Sequence, residues 1–284
     1  MSKSIMRYLT FTLIFTCTLL MGGCSMMRAG YDRLDWITLV WADRYMDFTS
    51  EQKDLLRPQL KQLLVWHRQQ ELPAYLNLIE TRLEPLLQKD DISPAEWLDI
   101  MEQLRLRYIA LASRAADQAE PLRETLGPEQ MAALKAAYEK SNVKFRKKHL
   151  DPPMSEIREK RAEDFVELLD DWLGSLSDTQ MQAINRSYQQ RTVDNTLWWE
   201  ERLVRQQLVL KALQRKPEDK SPRLVDAFLS LLDPVSPKGQ LYLQRTHRDT
   251  AELLSEVWRL STPKQRQLAR DKAISLKKDI KKLT

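Results

Sequence analysis

Three histidines and a large set of carboxylates are the residues of this sequence that could bind a metal or transfer a proton. His67, His149 and His247 are far apart in the chain, and none is part of an HExxH motif. No glycine-rich phosphate loop and no GxSxG nucleophile motif occurs. With 40 acidic residues, carboxylate pairs arise by chance, so none can be singled out as catalytic. We therefore expect no catalytic residue, no metal and no cofactor.

Cys24 is the residue whose neighbours in the sequence indicate a covalent modification. It follows Gly22-Gly23 at the end of a segment that starts with Lys3 and Arg7 and continues with a mostly apolar run over residues 8–20. A basic start, a short apolar run and small residues before a cleavage point are the parts of a secretory signal. The apolar run is too short to span a bilayer comfortably.

The order of these residues resembles a bacterial lipoprotein signal with its lipobox, although Met21 stands where that pattern usually has leucine. The resemblance implies that Cys24 is acylated, that residues 1–23 are removed, and that residues 24–30 form a lipidated tether. An aspartate after the cysteine would resemble an inner-membrane retention signal, so Ser25 favours the outer membrane. The alternative is an ordinary secretory signal with a chance cysteine. We predict a protein of the periplasmic face of the outer membrane, whose lipid anchor makes the membrane a partner.

The composition of the mature chain indicates helix and little else. Cleavage would remove Cys17, leaving Cys24 as the only cysteine, so no disulfide or free thiol nucleophile would remain. It would also lower the formal net charge from +5 to +3, because Lys3 and Arg7 are lost. The chain has only six glycines and is rich in Leu, Gln, Arg, Lys and Glu, which is typical of an all-α protein.

Repeated N-cap patterns predict where helices begin. A cap residue followed three positions later by Gln or Glu occurs at Thr49, Ser93, Gly127, Ser177 and Thr262. Their unequal spacing argues against a strict solenoid repeat. We predict an irregular multi-helix bundle of long kinked helices over residues 31–284, with a possible internal boundary at residues 151–153.

Prolines and tryptophans refine this prediction. Pro58 should kink the second helix, and Pro73 should end it. Trp41 belongs to a helical apolar pattern with Leu34, Ile37, Tyr45 and Phe48, and both Trp36 and Trp41 are predicted to be buried in the core, with the membrane interface as the alternative.

Trp198 and Trp199 are the best sequence candidates for a partner surface. Adjacent residues of a helix point about 100° apart, so the two indoles cannot share one narrow core stripe. We predict that one ring faces a groove or partner, with Arg202 and Arg205 near it on the following turns. Alternatively, the whole helix is broadly buried.

Two basic runs, residues 144–149 and 272–282, have two interpretations. They are solvated helix faces, or they attract anionic headgroups or cell-wall polymer. We predict no nucleic-acid partner, because nucleic acid is not expected outside the cytoplasm.

Several short motifs resemble an uncharacterised Gram-negative lipoprotein family, the domain of unknown function numbered 6279. They are Tyr31–Trp36, Asp43–Tyr45, Gln52, Leu56–Pro58, Trp66–Arg68, Glu71–Pro73, Trp172–Gly174 and Gln180. The resemblance implies lipidation and a helical envelope protein, and it assigns no residue a role. A weaker likeness is to periplasmic stress chaperones with a Leu-Thr-x-x-Gln motif, approximated by residues 48–52 and 176–180; a capping box produces the same string.

These observations predict a protein that acts by binding, as a scaffold or chaperone-like factor with an envelope protein or cell-wall partner. The alternative is a cell-wall or lipid-modifying enzyme. Lytic transglycosylases carry a catalytic glutamate followed by serine, and no such dipeptide occurs here.

Overall fold

The computed structural model describes residues 24–215 and 222–284, so the predicted signal peptide, residues 1–23, lies outside the described residues. The described chain is helical almost throughout and has no strand in these two ranges, which confirms the all-α prediction. The α-helices are α1 (Cys24–Tyr31), α2 (Leu34–Met46), α3 (Ser50–Trp66), α4 (Leu72–Leu78), α5 (Glu84–Leu87), α6 (Pro94–Arg123), α7 (Pro128–His149), α8 (Met154–Leu173), α9 (Asp178–Gln190), α10 (Asn195–Leu213), α11 (Leu224–Leu229), α12 (Pro237–Leu260) and α13 (Pro263–Lys281). Two π-helical turns, π1 (His67–Glu71) and π2 (Ile79–Leu83), join α3, α4 and α5 into one continuous helix.

The predicted N-caps all begin helices. At Thr49, Ser93, Ser177 and Thr262 the hydroxyl accepts the backbone N–H three residues later, and the side chain at that position accepts the N–H of the cap residue. At Gly127, which has no hydroxyl, only the second bond forms, from the glycine N–H to Gln130 Oε1. These bonds satisfy backbone donors that the first turn of a helix leaves free.

Both π turns come directly before a residue that precedes proline. At π1 the Leu72 N–H donates to the carbonyl of His67, five residues earlier, and Pro73 follows. π2 repeats the arrangement before Pro85. Proline has no N–H to donate, and its ring crowds the carbonyl four residues earlier. The wider π turn relieves that crowding and lets the helix continue.

The prediction that Pro73 ends the second helix is therefore wrong. The chain absorbs this proline in a π turn and stays helical to Leu87. Pro58 lies inside α3, which runs past it without a break in the helix.

Two hydrophobic cores lie towards the two ends of the long helix α6. The first core combines α5, α8, α9, α12 and α13, and includes Leu87, Phe165, Ile184, Val257 and Ala273. The second combines α2, α3, α7 and α10, and includes Leu39, Leu56, Leu134 and Leu210. Trp97, near the start of α6, packs on the first core, and Leu122, near its end, lies in the second.

The turn at residues 151–153 separates α7 from α8, yet both cores contain residues from either side of it. A third cluster joins the two ends of the described chain, because Tyr31 packs with Ile280 and Leu283. Residues near Cys24 and residues 280–283 therefore lie at the same end of the described fold.

The N-terminal segment differs from the sequence prediction in the exposure of two tryptophans. The predicted tether, residues 24–30, is part of helix α1. The prediction that Trp36 and Trp41 are buried in the core is wrong, because 58% and 50% of their surfaces are exposed. The residues of α2 that do enter the core are Leu39 and Met46, on another side of the helix.

Candidate functional site

Trp198 and Trp199 point to different neighbours, as their adjacency on a helix predicts. The Trp199 ring stacks on Phe145 of α7 at a centroid distance of 5.8 Å. The Trp198 ring meets Tyr242 of α12 edge-on at 6.0 Å. Both indoles are half-buried, one against α7 and the other against α12.

The two arginines predicted to accompany these tryptophans occupy different environments. Arg202 donates from Nε to Asn142 Oδ1 and lies over the Phe145 ring, on which Trp199 also stacks. Arg205 is drawn into the interior, where burial lowers the pKa of its guanidinium and the nearby Glu201 opposes that shift. The structure thus brings Trp199 and Arg202 together around Phe145 and places Arg205 elsewhere.

A second group of side chains is gathered around π1 and is hereafter called the His67 cluster. It contains Tyr31 from the end of α1, His67 and Glu71 from the two ends of π1, Tyr75 from α4 and Arg107 from α6. A hydrogen bond of 2.8 Å joins the Tyr31 hydroxyl to His67 Nδ1. The His67 ring also lies 6.1 Å from the Tyr75 ring. The cluster thus joins α1 to the long proline-bearing helix.

Burial controls the protonation of His67. It lowers the pKa of this imidazole from 6.5 to about 4, because the charged ring would lose its hydration. His67 is therefore neutral at pH 7. Burial raises the pKa values of Tyr31 and Tyr75 to about 12, so both phenols keep their protons.

Glu71 is the member of the cluster whose buried charge is least compensated. Its residue surface is 2% exposed, and burial raises the pKa of its carboxyl, while the guanidinium of Arg107 opposes the shift. Arg107 Nη1 lies 3.6 Å from Glu71 Oε1, and Glu71 Oε2 has no hydrogen-bond partner within the described chain. A buried carboxyl with a raised pKa and a free oxygen can act as a proton donor or accept a hydrogen bond from a ligand.

Sequence reasoning missed the His67 cluster as a site, although a signal was present. Glu71 follows His67 by four residues, and residues at that spacing lie on the same side of a helix. Tyr31 and Arg107 could not be found in this way, because they come from distant helices.

Two kinds of feature were not found among the described residues. Across residues 24–215 and 222–284, no group of three or more His, Cys, Asp or Glu side chains is arranged to hold a metal ion. In the same ranges, no helix is both long enough and apolar enough to cross a bilayer.

Comparison with known proteins gives one match. The model of a family described as "Family of unknown function (DUF6279)" matches residues 44–235, which is more than half of the chain and includes His67, Glu71 and Arg107. The match begins after Tyr31–Trp36, so that motif lies outside it. Neither the curated proteins nor the solved structures gave a match. The predicted family resemblance is confirmed, and the chain belongs to the family of unknown function DUF6279.

Proposed function

We propose that this protein is a lipid-anchored protein of the periplasmic face of the outer membrane, and that it acts by binding, as a scaffold or chaperone-like factor. The observation that carries the proposal is the short path from Cys24 to the folded interior. Tyr31, only seven residues later, is 2% exposed and bonded to His67. An acylated Cys24 would therefore hold the folded domain close to the bilayer, since α1 rises by about 12 Å.

The anchor is tested by replacing the acylated residue. Cys24→Ser should leave the precursor without lipid, and the protein should disappear from the membrane fraction after a salt wash. Mass spectrometry of the N-terminal peptide of the unchanged protein should show the acyl groups. Retention of Cys24→Ser in the washed outer membrane would contradict the anchor.

The surface proposed for a protein or cell-wall partner is the seam between α7 and α10. Trp199 lies there, and Leu203, one turn further along α10, is 37% exposed. Val143 of α7 is 55% exposed and neighbours Asn142, which bonds Arg202 across the seam. Large exposed apolar side chains beside a half-buried indole and an arginine are the composition of a binding surface.

A photo-crosslinking residue at position 203 in living cells tests this surface. We expect a crosslinked product that is lost in Trp199→Ala and retained in Trp198→Ala, whose ring faces α12. Circular dichroism should confirm that both variants are folded. Equal loss in the two variants, or several kcal/mol of destabilisation in both, would identify the tryptophans as core residues.

The second candidate is a cell-wall or lipid-modifying enzyme, and Glu71 is the observation that favours it. A carboxyl whose pKa is raised by burial is suited to general acid catalysis. Purified cell-wall polymer or lipid should then be turned over by the protein and left intact by Glu71→Gln. No turnover by the unchanged protein would leave binding as the function.

A further inference from the structure

Helix α2 has two apolar sides, and the described protein covers only one of them. Leu39 and Met46 are buried against α3 and α7. On the other side, Trp36, Ile37 and Trp41 are 58%, 40% and 50% exposed. A surface helix of a globular protein normally carries polar residues on its outward side. An outward side with two tryptophans and an isoleucine indicates a second contact.

Two arginines share this outward side. Arg33 is the cap residue directly before α2. With about 100° of rotation per residue, its position, Val40 and Arg44 fall within about 40° of one another, and Ile37 lies beside them. Trp36 and Trp41 lie on the two flanks. We call this set of six residues the α2 face.

The charge of the α2 face is positive. Arg33 and Arg44 are exposed, and in the described part of the chain neither has an ion pair. The acids of the same helix do not cancel this charge: Asp43, on the flank that Trp36 occupies, is paired with Lys53 at 2.9 Å, and Asp35 falls on the far side by helical rotation. Cations next to tryptophans and an aliphatic side chain match the interface of an anionic bilayer, where indoles sit at headgroup level.

The position of α2 decides which occupant fits. α1 starts at Cys24 and ends at Tyr31, and the α2 face starts two residues later at Arg33. At about 1.5 Å per residue, Arg33 lies within roughly 15 Å of Cys24. If Cys24 carries acyl chains, the headgroups are the surface closest to the α2 face.

We propose that the α2 face lies on the bilayer beside the lipid anchor, with Trp36, Ile37 and Trp41 inserted at headgroup level and Arg33 and Arg44 on anionic lipid phosphates. The inference rests on the proposed acylation of Cys24. A membrane contact on α2 would prevent the domain from rotating about its lipid anchor, and the domain would then keep one orientation relative to the bilayer. The α7–α10 seam is then presented at a constant direction from the membrane.

The cysteine content makes a single-site label possible. Cys17 belongs to the predicted signal and an acylated Cys24 has no free thiol, so a nitroxide can be attached at one engineered site in Ile37→Cys. The matched control is Leu241→Cys in α12, because Leu241 is 66% exposed. Each acylated protein is placed in vesicles of phosphatidylethanolamine and phosphatidylglycerol, and the collision of the label with oxygen and with a water-soluble nickel chelate is measured.

We expect the oxygen-to-nickel collision ratio to rise several-fold at position 37 on moving from detergent to vesicles, and to stay unchanged at position 241. When Arg33→Glu and Arg44→Glu are added to the labelled protein, the rise in the collision ratio at position 37 should be smaller. The rise should also be smaller when both arginines are kept and the vesicles lack phosphatidylglycerol.

A label at position 37 that stays as accessible to nickel as the control, in protein whose acylation is confirmed by mass, overturns the α2 face and leaves the anchor standing. That outcome would indicate that the exposed tryptophans contact a protein partner instead of the bilayer. A protein without acyl groups overturns the anchor and this inference together.

Discussion

Two groups of buried polar side chains, at the junction of α9 with α13 and at π1, are satisfied to very different degrees. At the first, Gln180 and Gln265 complete the capping boxes of their own helices and also bond each other across the junction. Gln180 Nε2 further donates to Ser261 Oγ, and Gln265 Nε2 to the carbonyl of Ser175. At π1, Glu71 Oε2 has no hydrogen-bond partner within the described residues.

The difference follows from the chemistry of the groups. An amide side chain carries donors and acceptors and never titrates, so the Gln180 network can be completed inside the protein and holds at every pH. A buried carboxyl and a buried imidazole are destabilised by the loss of water whenever they are charged. The first network is a structural join between two helix starts. The His67 cluster is a place where protonation changes the energy of the fold.

The largest expected effect is on the satisfied network. Gln180 is completely buried, so Gln180→Ala should lower the free energy of unfolding by about 3 kcal/mol, because several partners lose their bonds. Gln130→Ala is the matched control: Gln130 has the same capping-box position, and its side chain accepts the Gly127 N–H, so the loss should be about 1 kcal/mol. Urea unfolding measures both, and equal losses would show that the bonds across the junction contribute nothing.

The next effect is a pH dependence to which His67 should contribute, alongside the other buried histidines, His149 and His247, whose pKa values burial also lowers. Because the folded pKa of His67 is about 4 and its ordinary value is 6.5, the unfolded chain takes up a proton first as the pH falls. The stability contributed by the neutral ring is therefore lost between about pH 6.5 and pH 4, by about 2–3 kcal/mol.

His67→Gln should remove that part of the pH dependence. Gln180→Ala should lower stability by the same amount at both ends of the range. An unchanged pH profile in His67→Gln, measured by urea unfolding at several pH values, would show that the ring is hydrated in solution.

The smallest expected effect is at Glu71, whose contribution to stability changes with pH in the opposite direction to that of His67. Its folded pKa is raised, so its contribution to stability is present at low pH and is lost as the pH rises through the folded value. Glu71→Gln should therefore stabilise the protein at pH 7 by about 1 kcal/mol, with a smaller gain at acidic pH. Destabilisation at pH 7 would show that the pair with Arg107 outweighs the cost of burial.

Features that depend on residues close together in the chain could be predicted from the sequence, and features that depend on helix packing could not. Capping at Thr49, Ser93 and Ser177 was predictable because the groups that bond are three residues apart. Helical spacing predicts that the α2 tryptophans are buried, but it reveals only an apolar pattern and not what covers it, and both rings are exposed. The local rule for proline predicts a helix end at Pro73, because that rule does not include a π turn held by the packing of Leu72 and Ile79.

The sequence by itself determined the all-α class, the five capped helix starts and the family, since these depend on composition and on bonds between near neighbours. Only the tertiary structure decided that Gln180 meets Gln265, that Arg107 reaches Glu71, and that Trp36 and Trp41 remain exposed. Those outcomes depend on which helices pack together. Burial and the pKa shifts that follow from it arise from residues far apart in the chain, and no local pattern records them.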